Sequence, residues 1–169
     1  MKIKHLSLAA ATLLSVGVAY GDDNGLSPAD RSFVAMVSQG GMFEVKAGEV
    51  GATHGNTQDI IDQATTEAHD HKLVGDKLKS IATTAGLSFP DKLNAEFQQK
   101  LDALSALSGV AFDTQYLKDM EEIHAKDGAA FAKEAQSGTN PALRSFAAET
   151  HRIVLRHIGE LKAIGPKQG

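Results

Sequence analysis

The 169-residue chain has no cysteine, no tryptophan, two tyrosines and four prolines. Without thiols it can form neither a disulfide nor a thiolate metal site, so any bound metal must rest on nitrogen and oxygen ligands. Aromatic residues make up only 5% of the chain, and no segment shows the period-two alternation of a strand. Positive charge is also scarce: 17 Lys and Arg stand against 21 Asp and Glu, a net −4. The basic residues are scattered, which leaves nucleic acid binding without an electrostatic footprint. Beyond the N-terminal segment no apolar run is long enough to span a membrane.

That N-terminal segment has its own pattern. Lys2, Lys4 and His5 give a basic start, Leu6 to Val18 an apolar run, and Ala19 and Gly21 small residues at the positions a signal peptidase reads. Residues 1–21 are therefore expected to be a secretory signal peptide and residues 22–169 a single domain. Export of a cysteine-free chain suits a periplasm. With no Cys at the lipobox-like position, a lipoprotein anchor is not expected.

What the chain does have is alanine, glycine and helical periodicity. Ser27-Pro28 reads as N-cap and first helical residue, opening a helix to about Thr53 with Phe33, Val37, Gly40, Glu44, Ala47 and Gly51 inward. Gly40-Gly41 lowers helix propensity and is expected to admit a close neighbour. Thr57 starts a second helix ending at Ala85, with Gly86 as its cap and Ile60, Ala64, Val74, Leu78, Ile81 and Ala85 in its apolar stripe. A shorter helix from Lys92 to Leu107 follows, ended by Ser108-Gly109. A third long helix spans Phe112 to Gln136 with Leu117, Met120, His124, either Asp127 or Gly128, and Phe131 inward. Asn140-Pro141 starts a fourth that reaches Ile164 through Leu143, Phe146, Thr150, Ile153 and Leu161. The pattern predicts an all-α four-helix bundle with an extra short helix in the connection between long helices two and three. That connection fits either a parallel or an antiparallel pair.

The apolar stripes are interrupted near their midpoints by one polar residue each: Glu44, His71, His124 and His157. A carboxylate or imidazole on a buried face must be paired, hydrogen-bonded or metal-bound. At 1.5 Å per residue these positions lie within roughly 6 Å of level across each hairpin, so they can share one layer. One Glu and three His make a plausible metal-ligand set. Glu67, four residues before His71, and Glu121, three before His124, stand behind it with Asp70 as orienting neighbours. Glu121-x-x-His124 has dinuclear-carboxylate spacing, but no second copy exists, which favours a mononuclear site. His54, His69 and His151 read as exposed or loop-borne, and Tyr116 as packing.

Glu44 in Gly-Gly-Met-Phe-Glu-Val, the Asp70-His71 pair, the run Gly109-Val-Ala-Phe-Asp113-Thr-Gln-Tyr116 leading to His124, and His157 after Ala148-Glu-Thr150 together resemble one family. It is the secreted ferritin-like domain-of-unknown-function family, whose members often carry an outer-membrane label. The resemblance runs from about Ser27 to Leu161 and implies an exported ferritin-like bundle with no established activity. The chain departs from the usual family pattern at His151-Arg152, where Leu-Pro is common. No strand pattern supports a membrane barrel.

Three functions follow as expectations. The first is an exported bundle holding one transition-metal ion (Fe, Zn or Cu) through Glu44, His71, His124 and His157. The second is a dinuclear-iron carboxylate oxidoreductase that adds Glu67, Glu121 and Glu160. The third is a metal-free envelope stress or interaction protein in which a buried Glu–His network fixes helix register.

Overall fold

Ser27 begins the first helix by the device its sequence announces. Its hydroxyl accepts the Asp30 N–H at 3.1 Å while the Asp30 carboxylate accepts the Ser27 N–H at 2.8 Å, a closed capping box with Pro28 behind it. The computed structural model describes residues 26–165, so the expected signal peptide, residues 1–21, lies outside the described residues. Within them the helices are α1 (Pro28–His54), α2 (Gln58–Thr84), α3 (Ala95–Ser105), α4 (Gly109–Ser137) and α5 (Pro141–Ile164), with no strand. The fold is an all-α helical bundle.

Two helix starts differ from expectation. The short helix begins at Ala95, not Lys92, because Asn94 is its N-cap and its side chain accepts the Phe97 N–H at 2.9 Å. Ser108-Gly109 opens α4 instead of closing α3, with Gly109 at φ 61°, a conformation that glycine adopts cheaply. Gly86, at φ 72°, ends α2 as expected, and Leu87 N–H closes the turn on the Ala82 carbonyl.

Helices α1 and α2 form one antiparallel hairpin, α4 and α5 another, and α1 packs on α4 while α2 packs on α5. Asp113, near the start of α4, accepts N–H bonds from Asn56 (2.8 Å) and Thr57 (3.2 Å) in the α1–α2 loop. The starts of α2 and α4 thus lie at the same end, and the two helices are parallel. The connection bearing α3 must run the length of the bundle. It is fastened to α1 by Gln39, which accepts the Asn94 N–H and donates to the Lys92 carbonyl. At the far end Asp30 accepts the N–H (3.0 Å) and the hydroxyl of Thr139 in the α4–α5 loop. Each hairpin therefore holds the other's loop through a buried aspartate.

The close approach expected at Gly40-Gly41 falls two turns later as well. A Cβ at Gly48 would stand 2.7 Å from the Ala64 carbonyl oxygen, and one at Gly51 would stand 2.6 Å from the Ala64 methyl. Gly40 makes room for a side chain from α4, that of Asp127. Two stripe residues are also displaced: Ala82 and Val154 are buried where Ile81 and Ile153 are only partly so. The apolar core comes in two bodies. One gathers Phe43, Ile60, Phe112, Tyr116 and Met120, the other Phe33, Val37, Leu78, Phe131 and Phe146. Between them lies a polar layer. No helix among the described residues is long and apolar enough to cross a membrane.

The Asp30 end has a titration signature. Burial pushes Asp30 up, but hydrogen bonds from Thr139 and Ser27 outweigh it and hold the carboxyl at about 2. Its stabilising effect is present above about 3.8 and lost as pH falls through about 2. Glu134 goes the other way: burial, with Asp30 beside it, raises it to about 7. The folded state then binds a proton that the unfolded chain releases near 4.5, so this contribution is lost as pH rises through about 7. Urea midpoints should show Glu134→Gln gaining on the wild type between pH 5 and pH 8. A constant gap across that interval would contradict the assignment.

Candidate metal centre

Glu67 and His71 are one helical turn apart on α2, so their meeting is local: Glu67 Oε1 and His71 Nε2 are 3.0 Å apart. The other two imidazoles arrive from α4 and α5. His124 Nε2 lies 3.2 Å from Glu67 Oε1, and His157 Nδ1 lies 3.0 Å from Glu67 Oε2. The three ring centres form a nearly equilateral triangle with sides of 5.3–5.5 Å. Glu67 is enclosed by it, and all four residues are buried.

The outward nitrogens fix the chemistry of the inward ones. His71 Nδ1 is 2.8 Å from Glu44 Oε2, and His124 Nδ1 is 2.8 Å from the Met120 carbonyl oxygen. A carboxylate and a carbonyl only accept, so both Nδ1 atoms carry hydrogen. Neutral His71 and His124 therefore turn lone pairs toward Glu67 Oε1. His157 Nε2 faces Asp70 Oδ2 at 3.1 Å and an Arg156 amino group at 3.0 Å, which accommodates either tautomer. Each imidazole is thus oriented from behind by a hydrogen-bonding group, as metal-bound histidines are.

Lone pairs converging on one point repel unless a cation stands between them. In the absence of metal that cation is the proton. Burial lowers the His71 imidazole, but the Glu44 and Glu67 carboxylates outweigh it and raise it well above its ordinary value. His124 is raised likewise, with Glu67 first among the causes that oppose burial. Burial pushes Glu67 up, but His124, His157 and His71 hold it well below the ordinary carboxylate range. Even so, Glu67 Oε1 and His71 Nε2 are near each other without the alignment of a hydrogen bond, and both are left unpartnered.

The donor set fits a metal ion. One ligand atom from each of Glu67, His71, His124 and His157 can be chosen so that all lie within 4.8 Å of one another. Several separations, 3.0, 3.2 and 3.4 Å, approach the edge of about 3.3 Å of a tetrahedron with bonds of about 2.0 Å.

The residues anticipated from sequence are placed as follows. His71, His124 and His157 meet. Glu44 stands one residue removed, behind His71, with Oε1 3.7 Å from His124 Nδ1. Glu67, expected behind the ligands, occupies the centre. Asp70 backs His157 and is paired with Arg156. Glu121 is exposed: the turn before His124 presents Met120 inward instead, through its carbonyl. Glu160 pairs with Arg156 at 3.6 Å. His54 and His69 are exposed, while His151 is half-buried. Two participants were missed. Gln63 donates to Glu67 Oε2 at 2.8 Å and accepts from the Tyr116 hydroxyl at 2.7 Å; its i, i+4 spacing to Glu67 was the available signal. Asp127 is buried under Gly40, and burial together with the Glu44 charge raises it to about 8.

The family model described as "Domain of unknown function (DUF4142)" matches residues 18–164. No curated protein and no solved structure matches the chain.

The Tyr116–Gln63–Glu67 chain is testable. Tyr116→Phe leaves Gln63 Oε1 buried without a donor and should cost about 1–3 kcal/mol in chemical denaturation. An unchanged midpoint would mean that the hydroxyl carries no part of the network.

Proposed function

The chain belongs to the DUF4142 family, a domain of unknown function, and on that premise we propose a ferritin-like exported bundle that holds one transition-metal ion, Fe, Zn or Cu, in its core. The ligands are Glu67, His71, His124 and His157, with Glu44, the Met120 carbonyl and Asp70 orienting the imidazoles. The observation that carries this reading is the convergence of His71 Nε2, His124 Nε2 and Glu67 Oε1 while the opposite nitrogens of both rings face acceptors. One long crossover in a four-helix bundle, the arrangement of ferritin-like folds, supports it.

A bound ion would act as the shared electrophile for four donors. The set is buried on every side, which suits retention, buffering or sensing better than turnover, because catalytic sites keep an open position. The metal-free network is the second reading, favoured by Glu67 lying within 3.0–3.2 Å of all three imidazoles. The dinuclear alternative draws no comparable support, since Glu121 is exposed and Glu160 is engaged by Arg156.

Metal analysis of untagged protein, with melting curves before and after metal addition, separates the readings. His124→Ala, His157→Ala and Glu67→Gln should each abolish the metal-dependent rise in Tm, and the two alanine variants should cost the apo bundle about 1–3 kcal/mol. His151→Ala should retain the rise. Because metal must displace the protons held by His71 and His124, affinity should increase with pH from 6 to 8, with proton release at pH 7 seen calorimetrically. A full metal shift in all three site variants would leave the network reading standing.

Export to the periplasm is supported by the basic start, the apolar run Leu6 to Val18 and the small residues Ala19 and Gly21. Mass spectrometry should find the mature chain beginning near Asp22; an intact Met1 in exported material would rule out that cleavage.

A further inference from the structure

On the outward side of His71, away from Glu67, the bundle leaves a cavity of about 410 Å³ between α1, α2, α4 and the Phe89-Pro90-Asp91 turn. Glu44 and Asp127 both line it, with 1% and 2% of their surface exposed. Each has a carboxyl oxygen without any hydrogen-bond partner, Glu44 Oε1 and Asp127 Oδ2. The Asp127 carboxyl occupies the space where a Cβ at Gly40 would be, one helical turn before Glu44, so both acids reach the same stretch of α1. Ser38 also lines the cavity, and its hydroxyl already donates to the Ala35 carbonyl at 3.1 Å. The buried polar groups here therefore offer acceptors, and no neighbouring side chain hydrogen-bonds to the two orphan oxygens.

Buried acceptors left unpaired cost free energy and usually mark a missing partner. The volume lies within the roughly 300–1,000 Å³ of small-molecule sites. Val37, Val74, Leu78 and Phe131 supply apolar wall. The rim is balanced, with exposed Lys46, Lys72 and Lys79 against exposed Glu49, Asp76 and Asp91, so the acids at depth set the sign of the ligand.

We propose that this cavity binds a small primary amine with an apolar body, its ammonium donating to Glu44 Oε1 and Asp127 Oδ2 and its body lying against Val37, Val74, Leu78 and Phe131. An ammonium has three donors and no acceptor, the complement of this lining. The site goes beyond the Glu67 centre and does not depend on metal there.

The test is calorimetric titration of the full chain, stripped of metal with chelator, using 2-phenylethylamine and hexylamine as probes. Their uncharged and anionic counterparts are 2-phenylethanol and 3-phenylpropionate. The amines should bind at least about tenfold more tightly than the alcohol, and the acid should not bind, because only the ammonium satisfies both acids. Glu44→Gln and Asp127→Asn should each weaken the amines by about tenfold or more. Gly75→Phe provides a variant with both acids intact. Gly75 lines the cavity and a Cβ there meets nothing within 4 Å, so the ring should obstruct the cavity without disturbing the fold and abolish binding. Equal affinity for amine and alcohol, undiminished binding to Gly75→Phe, or no binding of either amine would overturn the proposal. So would Mg²⁺ or Mn²⁺ binding that Glu44→Gln and Asp127→Asn remove while amine binding persists.

Discussion

The constraint on which this bundle depends is a carboxylate charge at its centre, remote from water. Glu67 is fully buried, and an unpaired charge there would be prohibitively costly. Everything around it answers that demand. His71 meets it from the same helix, and His124 and His157 meet it from two others, so three of the four long helices are committed to one azimuth. Glu44 commits the fourth by holding His71. Apolar side chains tolerate small rotations of a helix, whereas these directional contacts do not, and the layer therefore fixes register between two apolar bodies that alone would specify it loosely.

Much of this was legible in the chain. Ser27-Pro28 and Asn140-Pro141 marked helix starts, and the inward stripe of α1 from Phe33 to Gly51 is buried residue for residue. The three core histidines stood out because each broke an apolar stripe near its midpoint. The order of carboxylates was not legible. Glu44 and Glu67 are both inward on their helices, and which reaches the imidazole triangle depends on how deeply α1 and α2 interlock. Gly48 and Gly51 set that depth, bringing α1 against the Ala64 backbone, and nothing local to Glu44 reports it. The parallel relation of α2 and α4 was equally invisible, since it rests on Asp113 bonding to a loop far away in sequence. Asp127 was ambiguous with Gly128 because adjacent helical residues share a broad inward face; both are buried.

The polar layer also has two sides of different character. Toward Glu67 the imidazoles close around a point. Toward Glu44 and Asp127 the same layer meets a cavity with acceptors at depth and apolar walls. His71 belongs to both, one nitrogen to each. Any occupant that engages Glu44 Oε1 draws charge from the carboxylate whose Oε2 faces His71 Nδ1, and orienting groups of this kind tune the basicity of the opposite nitrogen.

The reciprocal loop ties carry one more implication. Asp30 of the first hairpin holds the second hairpin's loop, and Asp113 of the second holds the first's. The step along the chain from Asp30 to Asp113 equals that from Glu44 to Asp127, and Asp30-x-x-Phe33 has its counterpart in Asp113-x-x-Tyr116. This is the exchange pattern of an isologous dimer, in which one patch serves both partners. A single hairpin would lack the aspartate that accepts its loop amides, and its own aspartate would lack the loop donors from the other hairpin. The two hairpins thus stand toward each other as two such partners would, joined end to end by the segment that carries α3.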